Sequence, residues 1–544
     1  MDVPQVGSPP QPRVAYVLSP ALLRAANALP ASAGRSRLVH ALAWHCGLIQ
    51  TPESGAASAS ASDVEAAGVG SAEEHELVRL LAGDVDAADA AVVARQHGPA
   101  ATLRIPQMGR RADLLAYHAA SFVDVLLDEN ASAGGQEEGL DEDTPRFAEL
   151  RTYALALAGA AVDAAKALRN GSFDVALLWD GGRHHARRAR ASGFCYVSDA
   201  VLAMLTMRKP VPKPKAITPA PAKRRADDDA SRLQKAPRLG FGARPEDIRR
   251  AAEAAAAVSQ GEAPDAGVQQ HAAASDAAQE PAPARRRWER ILYLDLDLHW
   301  GDGVEEAWYN SPSVLTLSVH YFARGFFPAG GSERAPRSSR AASPSTDNDE
   351  SPSGDAPHEA AAGSLHAPSG PVAAPAHALN LPLQPGASDA TVARVWDSCI
   401  EPAVKAYKPD AVVLQCGTDA LYGDPCGVHN LSIAAYVRAV QAVRAWKLPT
   451  LVLGGGGYTP ADHARTAAAV TAAVLGRWSD HPEDGCLTRQ MEVPLHDLWP
   501  AYAQRPQLDV PAGSTKDEND EGWLCEVEAV FAQHAEKLRA FHGH

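Results

Sequence analysis

Cysteine is sparse and unpatterned: seven occur in 544 residues, and no two are spaced Cys-x-x-Cys. That spacing marks zinc ribbons, and a small even set of cysteines marks a disulfide framework. Lacking both, the chain belongs to neither class and is expected in a reducing compartment. Long apolar runs are missing too. None approaches the ~18 residues of a membrane span, so no membrane partner is expected. The N-terminal MDVPQVGSPPQPR lacks the apolar core of a signal peptide. Nor is positive charge in excess. A formal net charge of −15 argues against direct sequence-specific nucleic-acid binding. It favours basic partners such as Lys/Arg-rich peptides.

What is present is a chain long enough for one large α/β domain with insertions. Short apolar runs read as strands at Val14–Leu18, Val175–Trp179, Ile291–Leu298, Val314–Val319, Ala411–Gln415 and Thr450–Leu453. Helical spacing appears over Arg35–Ile49, Leu114–Leu127, Arg151–Arg169, Ser198–Arg208, Ser388–Ala406, Ile433–Trp446 and Cys525–Phe541. Strands alternating with helices predict an α/β fold: a single open, mainly parallel β-sheet with helices on both faces. Gly55–Gly70 and Glu129–Asp143 read as loops. Lys209 to about Arg286 is rich in Ala, Pro, Asp and Lys/Arg, and Ser332 to about His377 in Ser, Pro, Ala and Gly. Neither can bury enough apolar surface to fold alone, so both read as disordered insertions.

The stretch ILYLDLDLHWGDGV, Ile291–Val304, organises the rest. It starts as a buried strand yet carries Asp295, Asp297, His299 and Asp302. Burying those charges unpaired would cost several kcal/mol each. Asp297 and His299 are two apart and share one side of an extended chain, as metal ligands would. Other strands also run into polar, Gly-rich residues: Asp180-Gly181-Gly182-Arg183-His184-His185, Gly417-Thr418-Asp419, and Gly454 to Tyr458. In open α/β sheets ligands bind outside the carboxyl ends of the strands, so these groups are expected in one crevice. Asp297, His299 and Asp419 suit a three-ligand site with an open position. His184 and His185 are candidate general base and acid, and Asp295 and Asp302 their orienting carboxylates. Tyr458 is a candidate oxyanion donor. The equipment is that of metal-assisted amide or ester hydrolysis.

The segments DGGRHHARRARASGFCYVSDAV, ILYLDLDLHWGDGVEEAW, LSVHYFARGFFPAGG, VVLQCGTDALYGDP and LVLGGGGY resemble class I histone deacetylases of the arginase-deacetylase superfamily. YVLSPALLRAANALPASAGRSRLVHAL is most similar to the histone deacetylase 8 branch. The resemblance implies a catalytic domain over residues 13–504, with 505–544 a C-terminal segment ending in a helix. It implies zinc on Asp297, His299 and Asp419, with iron(II) the other candidate metal. His185 becomes the main general base and acid with Asp302 as partner, and His184 pairs with Asp295. Gly193, Phe194 and Phe327 fall on a tunnel for the acyl-lysine stem, and Asp143 on a rim aspartate gripping substrate backbone. Structural potassium is implied at Asp295, Asp297, His299, Ser318 and Val319, and a second at Trp308, Ser311 and Val314. Arg35 falls on an arginine of an internal product channel. Cys195 reads as a packed small residue rather than a nucleophile.

The implied activity is zinc-dependent deacetylation of acetyl-lysine in histone tails or other proteins, in the nucleus and also the cytoplasm, with chromatin corepressor complexes as partners. A small-molecule amidohydrolase, a binuclear arginase-like enzyme and a non-turning-over acetyl-lysine binder are the alternatives. The chain departs from the family pattern at Arg183 (usually Trp), Trp300 (usually His) and Glu142 (usually aromatic). The segment after Tyr458 also lacks the usual aromatic. Arg183 and Glu142 are expected to alter rim charge. The first insertion carries Lys223-Arg224-Arg225 and Arg285-Arg286-Arg287, a nuclear-localisation pattern, with a merely solvated loop as the alternative. Ser343-Pro344 and Ser351-Pro352 in the second are candidate phosphorylation sites. Deleting residues 209–284 from a tagged protein is expected to reduce its nuclear signal; an unchanged distribution under the microscope refutes the localisation role.

Overall fold

The computed structural model describes residues 11–51, 70–83, 98–129, 135–141, 143–210, 288–323, 325–328, 362–481 and 486–543. The chain divides into two units, residues 1–211 with 285–544, and residues 212–284. The second unit lies outside the described residues. So do most of both insertions, the Gly55 loop up to residue 69, Glu142, Ser343, Ser351 and the basic clusters.

The first unit is built on nine parallel strands: β1 (Val14–Val17), β2 (Ile49–Gln50), β3 (Ala101–Arg104), β4 (Val175–Leu178), β5 (Ile291–Asp295), β6 (Val314–Tyr321), β7 (Ala378–Leu383), β8 (Ala411–Gln415) and β9 (Thr450–Leu453). Their order is β2-β3-β1-β4-β9-β8-β5-β6-β7. Side chains alternate between two cores. Leu177, Leu292, Leu294, Val412, Leu414 and Val452 face one, with helices Ile433–Ala445, Pro460–Val474 and Glu521–His542. Ala176, Leu178, Ile291, Tyr293, Val413 and Leu451 face the other, with Leu150–Arg169 and Asp199–Met207. Burial on both faces explains why these strands read as continuous apolar runs. After β4 the chain crosses to β5, and β8 and β9 later fill the gap. The carboxyl ends of β4, β9, β8 and β5 therefore flank the point where strand order reverses, where a crevice opens.

Several elements differ from the sequence expectation. The Arg35 helix ends at His45, and Gly47 (φ +63°) turns the chain so that Ile49 starts an edge strand. The expected helix Leu114–Leu127 is two, Arg111–Leu114 and Ala120–Leu127. The break frees His118, whose Nδ1 lies 3.0 Å from the Arg187 carbonyl and whose Nε2 accepts from Ser198 N–H at 3.1 Å. Ser388–Ala406 becomes Asp389–Val395 and Glu401–Tyr407, joined by a π-turn at Trp396–Ile400. Residues 362–377, expected to be loose, are packed. Ala374 and Ala376 are buried, and the Gly363 carbonyl is 2.8 Å from His320 Nε2. Strand β7 went unread because Pro382 interrupts its pattern, which an edge strand tolerates. Residues 505–544 pack into the same core through Leu524, Val527, Phe531 and Leu538.

Burial holds His118 and His320 down to about 4 and His429 to about 3. The unfolded chain protonates these groups near ~6.5, so between those values it binds more protons than the folded one. Their contribution to stability is complete above ~6.5 and is lost as pH falls towards the folded values. The gap in urea midpoint between wild type and His118→Gln isolates one of these groups: it is expected to be constant above pH ~7 and to shift against the wild type as pH falls from ~6.5 towards ~4.

Candidate active site

Each strand end delivers its polar residues by a specific local device. The Gly182 and Arg183 N–H groups, just after β4, donate to Asp199 at 2.8 Å each. This turn aims His184 and His185 into the crevice. The helix Asp302–Trp308 docks beneath them, with Val304 N–H donating to the His184 carbonyl at 3.2 Å. A Cβ at Gly303 would lie 2.7 Å from that carbonyl, so no larger residue allows the approach.

Two carboxylate–imidazole pairs result. His184 Nδ1 is 2.8 Å from Asp295 Oδ2, which also accepts from Tyr293 OH at 2.8 Å. His185 Nδ1 is 2.7 Å from Asp302 Oδ1, while Asp302 Oδ2 accepts from Arg187 at 2.6 Å. The rings lie 3.9 Å apart and their environments diverge. Burial opposes charge on His184, but Asp297 and Asp295 outweigh it and raise its pKa to about 9. Burial and the neighbouring His184 pull His185 down to about 4 despite Asp302. Two titratable groups pushed apart in this way sort into acid and base: His185 is the neutral member able to take a proton.

Beside them Asp297, His299 and Asp419 converge. His299 Nδ1 is 2.9 Å from Asp419 Oδ2 and 3.3 Å from Asp297 Oδ1. Each carboxylate is aimed by a backbone N–H: Gly456 to Asp297 at 2.9 Å, and Leu298 to Asp419 at 2.9 Å. A Cβ at Gly456 would lie 2.5 Å from Asp419 Oδ2, and one at Gly417 would strike Asp297. Phe326 stacks on the His299 ring at 5.2 Å. Two buried carboxylates against one imidazole carry surplus negative charge, a donor set that fits a divalent cation. Cys426 lies beside two of these: its Sγ, His299 and Asp419 offer ligand atoms within 4.8 Å of one another, a group that leaves out Asp297.

Asp143, Gly193, Phe194 and Tyr458 line one cleft with Arg35, His184, His185 and Asp297, and Phe327 packs beside it against His185. Gly193 (φ +51°) and Phe194 (φ +63°) are both left-handed. A Cβ at Gly193 would lie 2.6 Å from the Phe327 ring and 2.8 Å from His185, so glycine is required there. Phe194 and Phe327 keep 37% exposure each. Phe194 meets Tyr458 edge-on at 5.7 Å, and Phe327 meets His185 at 4.7 Å. Desolvation, then Asp419 and Asp297, raise the Tyr458 pKa, keeping its hydroxyl a donor. Exposed Asp143 lies on the cleft lining. Ser318 lies beside Asp295 in register, with Val319 next to it. Ser311 N–H donates to the Trp308 carbonyl at 2.8 Å in the turn leading to Val314.

Arg183 differs from expectation. It is not on the rim but buried at 6% exposure, beside Asp180, Asp199 and Arg35 on the inner wall of the cleft. Trp300 is turned away from the cleft, with Nε1 donating to Glu305 at 2.9 Å. Cys195 is buried and its thiol pushed up to about 12 by burial, the state of a packed side chain. Arg35 donates to the carbonyls of Gly457 and Gly455 at 2.9 and 3.1 Å and so anchors the glycine loop. Sequence reasoning missed Asp424 and Cys426. Asp424 accepts from Tyr458 N–H at 2.7 Å and from Cys426 N–H at 3.0 Å, fixing both. The Gly-Asp-Pro turn at Gly423–Pro425 was the available signal.

The family model described as "Histone deacetylase domain" matches residues 87–215 and 273–474. The chain is 26% identical to histone deacetylase 8 of Xenopus tropicalis over 438 residues, 80% of this chain and 86% of that protein. It is 27% identical to histone deacetylase 9 of Arabidopsis thaliana over 446 residues, 80% and 76% of the two chains. It is 29% identical to histone deacetylase B of Dictyostelium discoideum over 360 residues, 65% and 59%. Near-equal identity to differently designated relatives supports the family without singling out the histone deacetylase 8 branch.

If the convergent donors hold a cation, purified protein equilibrated with zinc should retain one equivalent by elemental analysis. Asp419→Asn should retain none, whereas His185→Ala should retain it.

Proposed function

The chain belongs to the histone deacetylase family, and from that premise we propose that it is a zinc-dependent lysine deacetylase. It hydrolyses N6-acetyl-lysine in histone tails, and in other proteins, to lysine and acetate. The observation that carries this is the His185–Asp302 pair beside the Asp297, His299 and Asp419 cluster, with Phe194 against Tyr458 and Phe327 against His185 at the cleft.

A lysine stem is apolar and the acetylated head neutral, so entering a slot between two phenyl rings costs little desolvation. Asp143 at the mouth accepts hydrogen bonds from the substrate backbone. Asp297, His299 and Asp419 would hold the zinc, which would supply Lewis acidity to the acetyl carbonyl and to the attacking water. His185, held neutral, takes the proton of the attacking water. Asp302 keeps its Nδ1 proton in place, so Nε2 is the accepting atom. Tyr458 donates to the oxygen on which negative charge develops. The proton on His185 then passes to the departing lysine nitrogen.

On the same reading, Asp295, Asp297, His299, Ser318 and Val319 would hold one structural potassium ion, and Trp308, Ser311 and Val314 a second. The protein acts in the nucleus as a chromatin regulator that represses transcription. Its acidic surface suits basic histone tails.

The test is deacetylation of an acetyl-lysine histone-tail peptide by zinc-loaded protein beside Tyr458→Phe. Turnover is expected to fall by roughly 10²–10³ in the variant, the size associated with one lost oxyanion donor. No turnover by the metal-loaded parent refutes protein deacetylation and moves the search to acetylated small molecules.

A further inference from the structure

Cys426 is half-buried in the Asp424–Gly427 turn, in the loop that follows β8 and carries Asp419. Its position is not incidental to the donor cluster. Among the described residues, His299, Asp419 and Cys426 form the group of three metal-ligating side chains whose donor atoms lie within 4.8 Å of one another. The turn that presents the thiol is pinned: Asp424 accepts from Cys426 N–H at 3.0 Å and, with its other oxygen, from Tyr458 N–H at 2.7 Å. Bonds of ~2.0–2.3 Å to a tetrahedral ion set its donors ~3.3–3.8 Å apart. For His299 and Asp419, closing 4.8 Å to that spacing asks at most ~1.5 Å of the thiol, within reach of a χ1 adjustment; Asp297 is not one of that group of three.

We propose that Cys426 is a further ligand of the catalytic metal, binding as a thiolate beside Asp297, His299 and Asp419 when substrate is absent. The proposal rests on the metal-dependent reading above. On binding, the S–H bond breaks, the sulfur lone pair goes to the metal and the proton leaves to solvent. A carboxylate–imidazole set accepts several divalent ions, whereas a thiolate favours zinc. The sulfur therefore biases this site towards zinc and against iron(II). It also occupies the position that an open catalytic site leaves free, so acetyl-lysine has to displace it.

Cobalt(II) reports on this without any turnover. Wild-type protein and Cys426→Ser are loaded with cobalt, and metal content is read beside the near-ultraviolet absorption of thiolate-to-cobalt charge transfer. The expected result is one cobalt per chain in both and the charge-transfer band in the wild type alone. Cobalt bound by the wild type without the band, or a band that survives in Cys426→Ser, overturns the proposal. Failure of the wild type to bind cobalt at all instead sinks the metal reading, and the proposal with it. Should the variant not hold cobalt, alkylation of the wild type decides: zinc is expected to protect Cys426 from iodoacetamide while exposed Cys525 reacts. Equal labelling of Cys426 with and without zinc overturns the assignment. In chelator competition the variant's zinc affinity should fall by at least ~10-fold, with its zinc-over-iron(II) preference narrowed by a similar factor.

Discussion

Charge compensation at the carboxyl ends of β4, β9, β8 and β5 is the constraint on which this structure depends. Asp295, Asp297, Asp302, Asp419, His184 and His185 are all nearly inaccessible to solvent. Unpaired, each would oppose folding by several kcal/mol, and removing one partner of such a pair costs about 3–5 kcal/mol. The chain meets this with layered partners. Each imidazole has its carboxylate, and each carboxylate has a second donor: Tyr293 for Asp295, Arg187 for Asp302, and backbone N–H groups for Asp297 and Asp419. The glycines follow from the same demand. Where Gly303, Gly417 and Gly456 stand, a Cβ would collide with the groups being paired.

The same pairing produces the chemistry. Surplus negative charge around His299 makes a cation the natural counterion. With Asp297 uncompensated, the His184 and His185 pKa values are displaced in opposite directions, and His185 is the neutral member. Arg35 ties the glycine loop from below, and Asp424 ties Tyr458 from the side, so the tyrosine sits on a short loop whose backbone is fixed at both ends. Rigid placement of a donor before charge develops is where electrostatic catalysis gains most. Two departures from the family pattern find partners inside the fold. Buried Arg183 lies among Asp180, Asp199 and Arg35 on the inner wall, and Trp300 satisfies Glu305 outside the cleft.

Much of this was legible in the chain itself. The parallel sheet followed from apolar runs alternating with helical segments, because strands buried on both faces must be apolar throughout. The convergence of the strand-end residues followed from the sheet's crevice rule, and the family from motifs long enough to be specific. Edge strands β2 and β7, and β3 beside β2, were not legible: two to six residues carry little pattern, and Pro382 and Thr102 interrupt what there is. The helix break at His118 was hidden because its cause is a loop 69 residues away.

By itself, then, the sequence determined which groups exist and on which strand ends they stand, since these are local properties of spacing and polarity. Only the tertiary structure decided who pairs with whom. Arg183 turned inward rather than to the rim, 362–377 packed instead of remaining loose, and Cys426 came beside His299 and Asp419. Those outcomes depend on close approach between residues distant in the chain, which no local pattern encodes.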